Sequence, residues 1–248
     1  MPTSHNRALV SVLALWGLLA AAPQTARGDA SIPAIRGLAR LDAVLANGNN
    51  PTPQVESHCF NGGSGGFTQC ASFGTVDSSY ALALGDLEGD GDLDVVVANN
   101  GQAEQRCLND GSGGFTACAS FNTTDQSFGI ALGDVDGDGD LDALIANSGD
   151  EQRCLNDGSG GFTACASFNT TDQSFGIALG DVDGDGDLDA LIVNTGDERR
   201  CLNDGSGGFT SCASFNIADN SFSIALGDVD GDGDLDALIA NYNAAYNA

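Results

Sequence analysis

Basic side chains are scarce in this sequence. Its 248 residues include 8 Lys and Arg against 35 Asp and Glu, for a formal net charge of -27. Nucleic-acid binding needs Lys and Arg to neutralise phosphates, so no nucleic-acid partner is expected. A chain this acidic repels itself and must stay unfolded or bind cations. Hydrophobic residues make up 42% of the sequence, which argues against disorder, and the clustering of the acids favours bound cations.

Histidine and recognisable catalytic pairs are also lacking. After residue 30, His58 is the only histidine, so a zinc site is disfavoured. No motif places a nucleophile beside a base. Tryptophan is absent after residue 30 and tyrosine is limited to three residues, which counts against a site built on sugar stacking. The sequence predicts a protein that is not an enzyme.

A single long hydrophobic run is present, from Ala8 to Ala22, and a positive charge precedes it. Its length of about 15 residues falls short of the roughly 20 that cross a bilayer, and small residues near residue 30 fit a cleavage site. We therefore predict a signal peptide over residues 1–30 and a secreted or extracellular domain (alternatively cell-surface or periplasmic) over residues 31–248. An uncleaved anchor is the alternative for the run; no membrane span is expected after signal cleavage.

An internal repeat with a period of 47 or 48 residues organises the rest of the chain. The segment Ala131–Asn147 recurs at 178–194 and 225–241, with a variant at 83–99 and a broken copy at 41–47. Such self-similarity is typical of a repeat architecture in which neighbouring units share a core. The predicted repeat units cover about 41-82, 83-130, 131-177 and 178-224, with a partial unit at 225-248.

Each unit has the pattern of four short strands and no helical periodicity. The second strand is a continuous apolar run, typical of a strand buried on both faces. The predicted strands of one unit are Phe128–Leu132, Ala143–Asn147, Gln152–Asn156 and Phe162–Phe168. Phenylalanines recur at three fixed positions, here Phe128, Phe162 and Phe168 and in the next unit Phe175, Phe209 and Phe215. We expect them to form core between repeats; a sugar-stacking platform is the alternative.

The eight cysteines form four pairs, each spaced by 11 residues. Cys154 and Cys165 lie almost symmetrically about the turn Asp157–Gly161, so they should face each other across a hairpin. An even number of cysteines in a secreted chain favours disulfides, with free buried thiols as the alternative. The predicted disulfide cysteines are Cys59, Cys70, Cys107, Cys118, Cys154, Cys165, Cys201 and Cys212.

The acidic residues concentrate in a nine-residue pattern that begins at Asp134, with acids at positions 1, 3, 5, 7 and 9 and glycines at 4 and 6. Calcium takes about six to eight oxygen ligands, which a curled loop can present. The glycines permit the curl, and without a cation the acids would repel one another. Magnesium prefers fewer protein ligands, and an EF-hand would need a glutamate at position 12, where Ile145 stands. We predict about four Ca2+ ions, one per loop, in which positions 1, 3, 5 and 9 supply side chains and position 7 its carbonyl by analogy with known loops.

The predicted metal-binding residues belong to four equivalent loops. They are Asp86, Glu88, Asp90, Asp92, Asp94, Asp134, Asp136, Asp138, Asp140, Asp142, Asp181, Asp183, Asp185, Asp187, Asp189, Asp228, Asp230, Asp232, Asp234 and Asp236.

The motif as a whole resembles the FG-GAP/VCBS repeat family. The resemblance rests on Leu132 to Asp134, the Asp-Gly-Asp-Gly-Asp core, and the segment from Asn156 to Phe162, and it extends over nearly all of the chain from about residue 41. It implies an all-β fold: a β-propeller-like array of four-stranded blades braced by calcium, as in integrin α-chains. Seven blades are usual in that family. This chain offers about four to five repeats, as a ring closed by pairing of its two ends, an open arc, an oligomeric ring or an incomplete array.

The resemblance also implies a function. We expect a secreted calcium-binding repeat protein that acts as a binding or adhesion module, with calcium in a structural role. A carbohydrate-binding lectin is the alternative, and a non-catalytic accessory or remnant of an extracellular enzyme is a third. The expected partner is an extracellular protein or glycan, with oligomers forming through open repeat edges.

Overall fold

The computed structural model describes residues 43–46, 54–61, 67–122, 126–168, 173–215 and 220–242. The predicted signal peptide lies outside these residues. Every regular element within them is a β-strand, and no helix there is long and apolar enough to traverse a bilayer.

Seventeen strands follow one another along the described residues. They are β1 (Ala43–Leu45), β2 (Gln54–Asn61), β3 (Phe67–Asp77), β4 (Ser79–Gly85), β5 (Asp94–Asn99), β6 (Glu104–Asn109), β7 (Phe115–Phe121), β8 (Ser127–Gly133), β9 (Asp142–Asn147), β10 (Glu151–Asn156), β11 (Phe162–Phe168), β12 (Ser174–Gly180), β13 (Asp189–Asn194), β14 (Arg199–Leu202), β15 (Ser211–Ser214), β16 (Asn220–Gly227) and β17 (Asp236–Tyr242).

Three complete four-stranded antiparallel sheets form the middle of the array, in the orders β4-β5-β6-β7, β8-β9-β10-β11 and β12-β13-β14-β15. A three-stranded sheet, β1-β2-β3, precedes them and a two-stranded sheet, β16-β17, follows. The predicted strand order within a repeat is therefore confirmed, and each sheet is one blade. The first strands of successive blades lie side by side: β4 against β8, β8 against β12, and β12 against β16.

The second strand of each complete blade is the most buried element. All six residues of β5, β9 and β13 are buried, as their continuous apolar sequence predicts. The hydrophobic clusters around them draw on two blades at a time; Ile145 of one blade shares a cluster with Val96 of the preceding blade. Burial of each second strand thus depends on the neighbouring blade.

Pairs of phenylalanines pack between neighbouring blades. The ring centroids of Phe121 and Phe162 lie 4.6 Å apart, and those of Phe168 and Phe209 lie 4.8 Å apart. Tilted contacts at this distance stabilise beyond area burial alone. The expectation that these aromatic positions form core between repeats is confirmed.

The third aromatic position behaves differently. Tyr80, Phe128, Phe175 and Phe222 form a row across the first strands of four blades, with successive centroids 5.3, 5.3 and 4.6 Å apart. The first three rings are half-buried, whereas Phe222, at the end of the row, is 37% exposed. These contacts between neighbouring rings occupy ring surface on which a sugar would have to stack.

Each cysteine pair forms a disulfide within its own hairpin, as predicted. The partners face each other in register on the third and fourth strands, with Cα atoms 4.0 or 4.1 Å apart. Cys107, Cys154 and Cys201 are fully buried, so each bridge also contributes to the blade core.

The two ends of the array are not joined in the described part of the chain. Strand β1 pairs with β2, and β16 pairs with β17, so a ring closed by pairing of the first and last units, one of the alternatives, does not form there. The end blade exposes side chains that other blades bury: Leu238 is 54% exposed, whereas Leu191 at the same repeat position is 5% exposed. Of the alternatives considered from sequence, the described residues therefore form an open array.

Replacement of Phe162 by alanine is expected to lower the free energy of unfolding by about 3–5 kcal/mol, because it opens a cavity between two blades. Phe67 occupies the same repeat position but is 48% exposed. The control Phe67→Ala should therefore lose less than about 1 kcal/mol. Urea unfolding followed by circular dichroism measures both variants; equal losses would contradict a stabilising role for the junction.

Candidate calcium-binding loops

The acidic loops connect the first and second strands of each blade. Gly137 and Gly139, at positions 4 and 6, have φ angles of 77° and 97°, a region that glycine enters at no steric cost. The same positions have positive φ in all four loops. The sequence pattern thus translates into one backbone curl repeated four times.

The first and ninth positions hold the curl in place. Both carboxylate oxygens of Asp134 accept loop N–H groups, from Gly137 at 2.8 Å and Gly139 at 3.0 Å. The buried Asp142 accepts from the backbone N–H of Val135 at 3.1 Å and of Asn156 at 2.8 Å. Asp142 therefore ties the start of its loop to the third strand of its blade.

Three carboxylates converge in three of the four loops. Oxygens at positions 1, 3 and 9 lie within 4.8 Å of one another in the triples Asp134, Asp136 and Asp142; Asp181, Asp183 and Asp189; and Asp228, Asp230 and Asp236. Positions 5 and 7 are not part of these triples. At position 7, a methyl group built on Gly158 would lie 2.6 Å from Asp140 Oδ2, so this side chain reaches the hairpin turn of its own blade. That placement suits the expectation that position 7 offers its carbonyl.

The loop at residues 86–94 is the exception. Its acids do not form a converging triple of this kind, and position 3 is the longer Glu88 in place of aspartate. Desolvation and the charges of Asp90 and Asp94 raise the pKa of Glu88. Carboxylates are crowded in this loop as in the others, but their oxygens do not converge on one point.

Two of the three triples contain carboxylates whose pKa is raised in the absence of a cation. Burial raises the pKa of Asp142 to about 6; hydrogen bonds from Asn156 and Val135 oppose the shift, and the charges of Asp136 and Asp138 add to it. Desolvation and neighbouring carboxylates likewise raise the pKa of Asp136 and Asp183. Three hard oxygen ligands whose charges destabilise one another fit a divalent cation.

A further acid in each blade is satisfied without any ion. Asp157 Oδ1 accepts from the N–H of Ser159 at 3.0 Å, from its hydroxyl at 2.6 Å, and from the N–H of Gly161 at 3.0 Å. These hydrogen bonds, that from the Ser159 hydroxyl foremost, lower the pKa of Asp157. Asp157 is therefore a turn residue, as its Asp-Gly-Ser-Gly-Gly sequence predicts.

In two loops, an asparagine from the next blade donates a hydrogen bond to a loop carbonyl. These contacts were not predicted from the sequence. Asn203 Nδ2 donates to the carbonyl of Val135 in the preceding blade at 2.7 Å and to that of Leu188 in its own blade at 3.1 Å. Asn156 makes the equivalent contact with Leu87 at 2.8 Å. The sequence signal for these contacts is the asparagine that recurs immediately before Asp-Gly in successive repeats. Of the four loops, 134–142 has both the converging triple and this contact.

His58 takes no part in these sites. It is buried among the rings of Phe60, Phe73 and Phe115, with centroids 5.1 to 5.9 Å away. In the described residues it therefore serves as core.

Without calcium, stability is expected to fall as pH rises through about 6. The raised pKa of Asp142 favours the folded state below the ordinary aspartate value of about 3.9, and this contribution is lost as pH passes the folded value. Calcium should abolish that part of the decline by pairing with the ionised triple. Thermal unfolding between about pH 5 and 8, in EDTA and in calcium, measures the difference; identical pH profiles would refute the coupling.

Several solved structures are similar to the chain. An Agrocybe aegerita lectin recognising non-reducing terminal N-acetylglucosamine is 20% identical, with a TM-score of 0.47 over 76% of this chain and 52% of the lectin. BBS1N, solved in complex with ARL6DN, is 13% identical, with a TM-score of 0.51 over 75% of this chain and 56% of its own. The Vibrio cholerae biofilm matrix protein Bap1 is 18% identical, with a TM-score of 0.45 over 80% and 34%. The chain thus spans from about a third to somewhat over half of these proteins.

No curated protein gives a significant sequence match to the chain. The model of the FG-GAP-like repeat matches three times, at residues 86–145, 134–192 and 181–239. Together these matches span more than half of the chain, and each runs from one acidic loop into the second strand of the following repeat. The chain belongs to the FG-GAP-like repeat family.

Proposed function

We propose that this chain is a secreted, non-catalytic binding or adhesion module whose acidic loops hold structural calcium. The observation that carries the calcium assignment is the convergence of positions 1, 3 and 9 in three loops. FG-GAP repeats commonly bind calcium, and the family is a binding repeat type. The triples supply hard oxygen ligands only, the donor set that calcium prefers.

Calcium suits the loops better than magnesium does. Calcium accepts irregular shells of about six to eight oxygens, whereas magnesium demands near-octahedral geometry and keeps its waters. Within loop 134–142, Asp138 and the carbonyl of Asp140 are the groups that would add to the triple. The proposed number of ions remains four, one per loop. The loop at 86–94 is the weakest of the four proposed sites, because its acids do not converge.

The proposed role of the ion is to brace the array. Loop 134–142 is bound on one side to its own third strand through Asp142 and on the other to the next blade through Asn203. An ion held by Asp134, Asp136 and Asp142 would therefore stiffen a junction as well as a loop. This position at a junction between blades favours a structural role for the ion.

Secretion is proposed on the disulfides together with the N-terminal hydrophobic run. Four bridges form within the described residues, and such bridges persist in oxidising compartments. The partner is proposed to be an extracellular protein or glycan. The aromatic pairs lie between blades, so a glycan would rely on polar groups more than on ring stacking.

Removal of calcium with EDTA is expected to lower the melting temperature of the full chain. An ion at a free concentration one hundred times its dissociation constant stabilises the folded state by about 2.7 kcal/mol per site. Differential scanning calorimetry with and without EDTA measures the loss. An unchanged melting temperature would rule out structural calcium.

Substitution within one loop should separate ligands from bystanders. Asp136→Asn removes a member of the triple and is expected to weaken that site by about tenfold or more. Asp140→Asn keeps the backbone carbonyl and is the matched control, with little expected change. Calorimetric calcium titration should show one fewer tight site for Asp136→Asn alone; equal effects of both variants would contradict the assigned ligands.

A further inference from the structure

A buried glutamate lies at every junction between blades, outside the acidic loops. Each sits at or near the start of a third strand, is at most 2% exposed, and contacts a serine of the next blade 23 residues further on. The four contacts join Glu56 to Ser79, Glu104 to Ser127, Glu151 to Ser174, and Glu198 to Ser221. These four are the only glutamates of the sequence besides Glu88.

At three of the four junctions the serine hydroxyl has a second oxygen beside it. Ser127 Oγ lies 2.8 Å from Asn147 Oδ1 of its own blade, and the equivalent distance is 3.0 Å for Ser79 and 2.9 Å for Ser221. The amide of Asn147 presents its oxygen to the serine, because its Nδ2 donates to the carbonyl of Asp150 at 3.1 Å. Asn99 Nδ2 donates likewise to Ala103 at 2.8 Å.

The number of hydrogens available for hydrogen bonding decides whether the glutamate is ionised or protonated. A serine hydroxyl has one proton to donate, an amide oxygen can only accept, and an ionised carboxylate can only accept. With an ionised glutamate, the carboxylate and the amide oxygen would compete for the one hydrogen of the serine hydroxyl. With a protonated glutamate both contacts of the serine are satisfied, because the acid donates to Ser Oγ and the serine donates to Asn Oδ1; the amides of Asn99 and Asn147 in turn donate to a backbone carbonyl.

The geometry assigns a neutral, protonated carboxylic acid to Glu56 and Glu104 in the folded protein near neutral pH, so that each of these two junctions takes up a proton as it forms. The Glu–Ser–Asn clasp, as we call each set of three side chains, would be a pH-sensitive link between blades. Ionisation of the acid leaves a buried charge in the junction, so each clasp weakens as the medium becomes alkaline.

The surroundings of Glu56 agree with this assignment. Burial raises the pKa of Glu56; hydrogen bonds from the Ser79 hydroxyl and from the backbone N–H of Glu56 itself oppose the shift, and the negative charge of Asp77 adds to it. Asp77 Oδ2 itself accepts from Gln105 Nε2 at 2.7 Å. The other titratable group on this face of β2 is His58, which lies among aromatic rings. At the other junctions the position of Asp77 is taken by Asp125, Asp172 and Asp219, which lie outside the described residues.

Infrared spectroscopy tests the assignment directly. In saturating calcium at about pH 7–8, where free glutamate is ionised, the full chain should show the carbonyl band of a protonated carboxylic acid. The band should shrink in Glu56→Gln and in Glu104→Gln, and shrink further in the double variant. Asp157→Asn, at an exposed turn, should leave it unchanged. Absence of the band from the unsubstituted protein would overturn the proposal.

Stability provides the second readout. Glutamine also donates a hydrogen to Ser Oγ, so the double variant of Glu56→Gln and Glu104→Gln should fold and match the unsubstituted protein at about pH 4, where free glutamate, with a pKa of about 4.3, still holds most of its protons. Between that free value and the folded pKa of the clasp acids, the unsubstituted protein should lose stability relative to the variant by about tenfold in the folding equilibrium per unit of pH and per clasp, and the difference should level off above the folded pKa. A variant that is less stable at every pH, by a constant amount, would show that the glutamates are ionised.

This pH effect should persist in saturating calcium, whereas the effect at the acidic loops should not. Failure of the calcium proposal would therefore leave the clasp measurements interpretable. Ser127→Ala distinguishes the clasp from simple burial, because it removes the acceptor of the acid proton. It should weaken the junction and shift the ionisation of Glu104, seen as a changed pH dependence of the infrared band; an unaltered pH dependence would contradict the proposed chain of donors.

Discussion

A blade of this protein cannot bury its own second strand. The apolar side chains of β9 are covered because the adjacent blades lie against both faces of the sheet, and the same holds for β5 and β13. At β17, against which the described residues place no further blade, the equivalent Leu238 is exposed. Each blade therefore gains most of its stability from its two junctions, as expected for an array whose units contact only their neighbours.

The excess of carboxylates is accommodated in three physically different ways. In the acidic loop 134–142, burial and neighbouring carboxylates raise the pKa of Asp136 and Asp142, and the converging aspartates form a site suited to a cation. Aspartates of the hairpin turns, such as Asp157, are stabilised as anions by local N–H and O–H donors. Glutamates between blades are buried, and at Glu56 and Glu104 a proton best satisfies the neighbouring side chains. One functional group thus plays three roles, set by what surrounds it.

Features that lie within one repeat could be predicted from sequence. The apolar run of β9, the Gly-rich turn at 157–161 and the facing cysteines Cys154 and Cys165 are local patterns, and the structure confirms them. The phenylalanine core between repeats could be predicted, but polar contacts between repeats could not, since no spacing rule connects Glu151 to Ser174 on the next blade. The acidic motif likewise shows five acids in a row, but only backbone geometry reveals which three converge.

The disulfides have a mechanical consequence. Each closes a ring between two strands of the same hairpin, and no bridge described here connects one blade to another. Under tension along the chain, the cross-linked hairpins would resist extension while the junctions, held by packing and hydrogen bonds alone, would separate one after another from an end. The molecule would then lengthen in discrete steps, and its force-bearing elements would be the surfaces between blades rather than the covalent bridges.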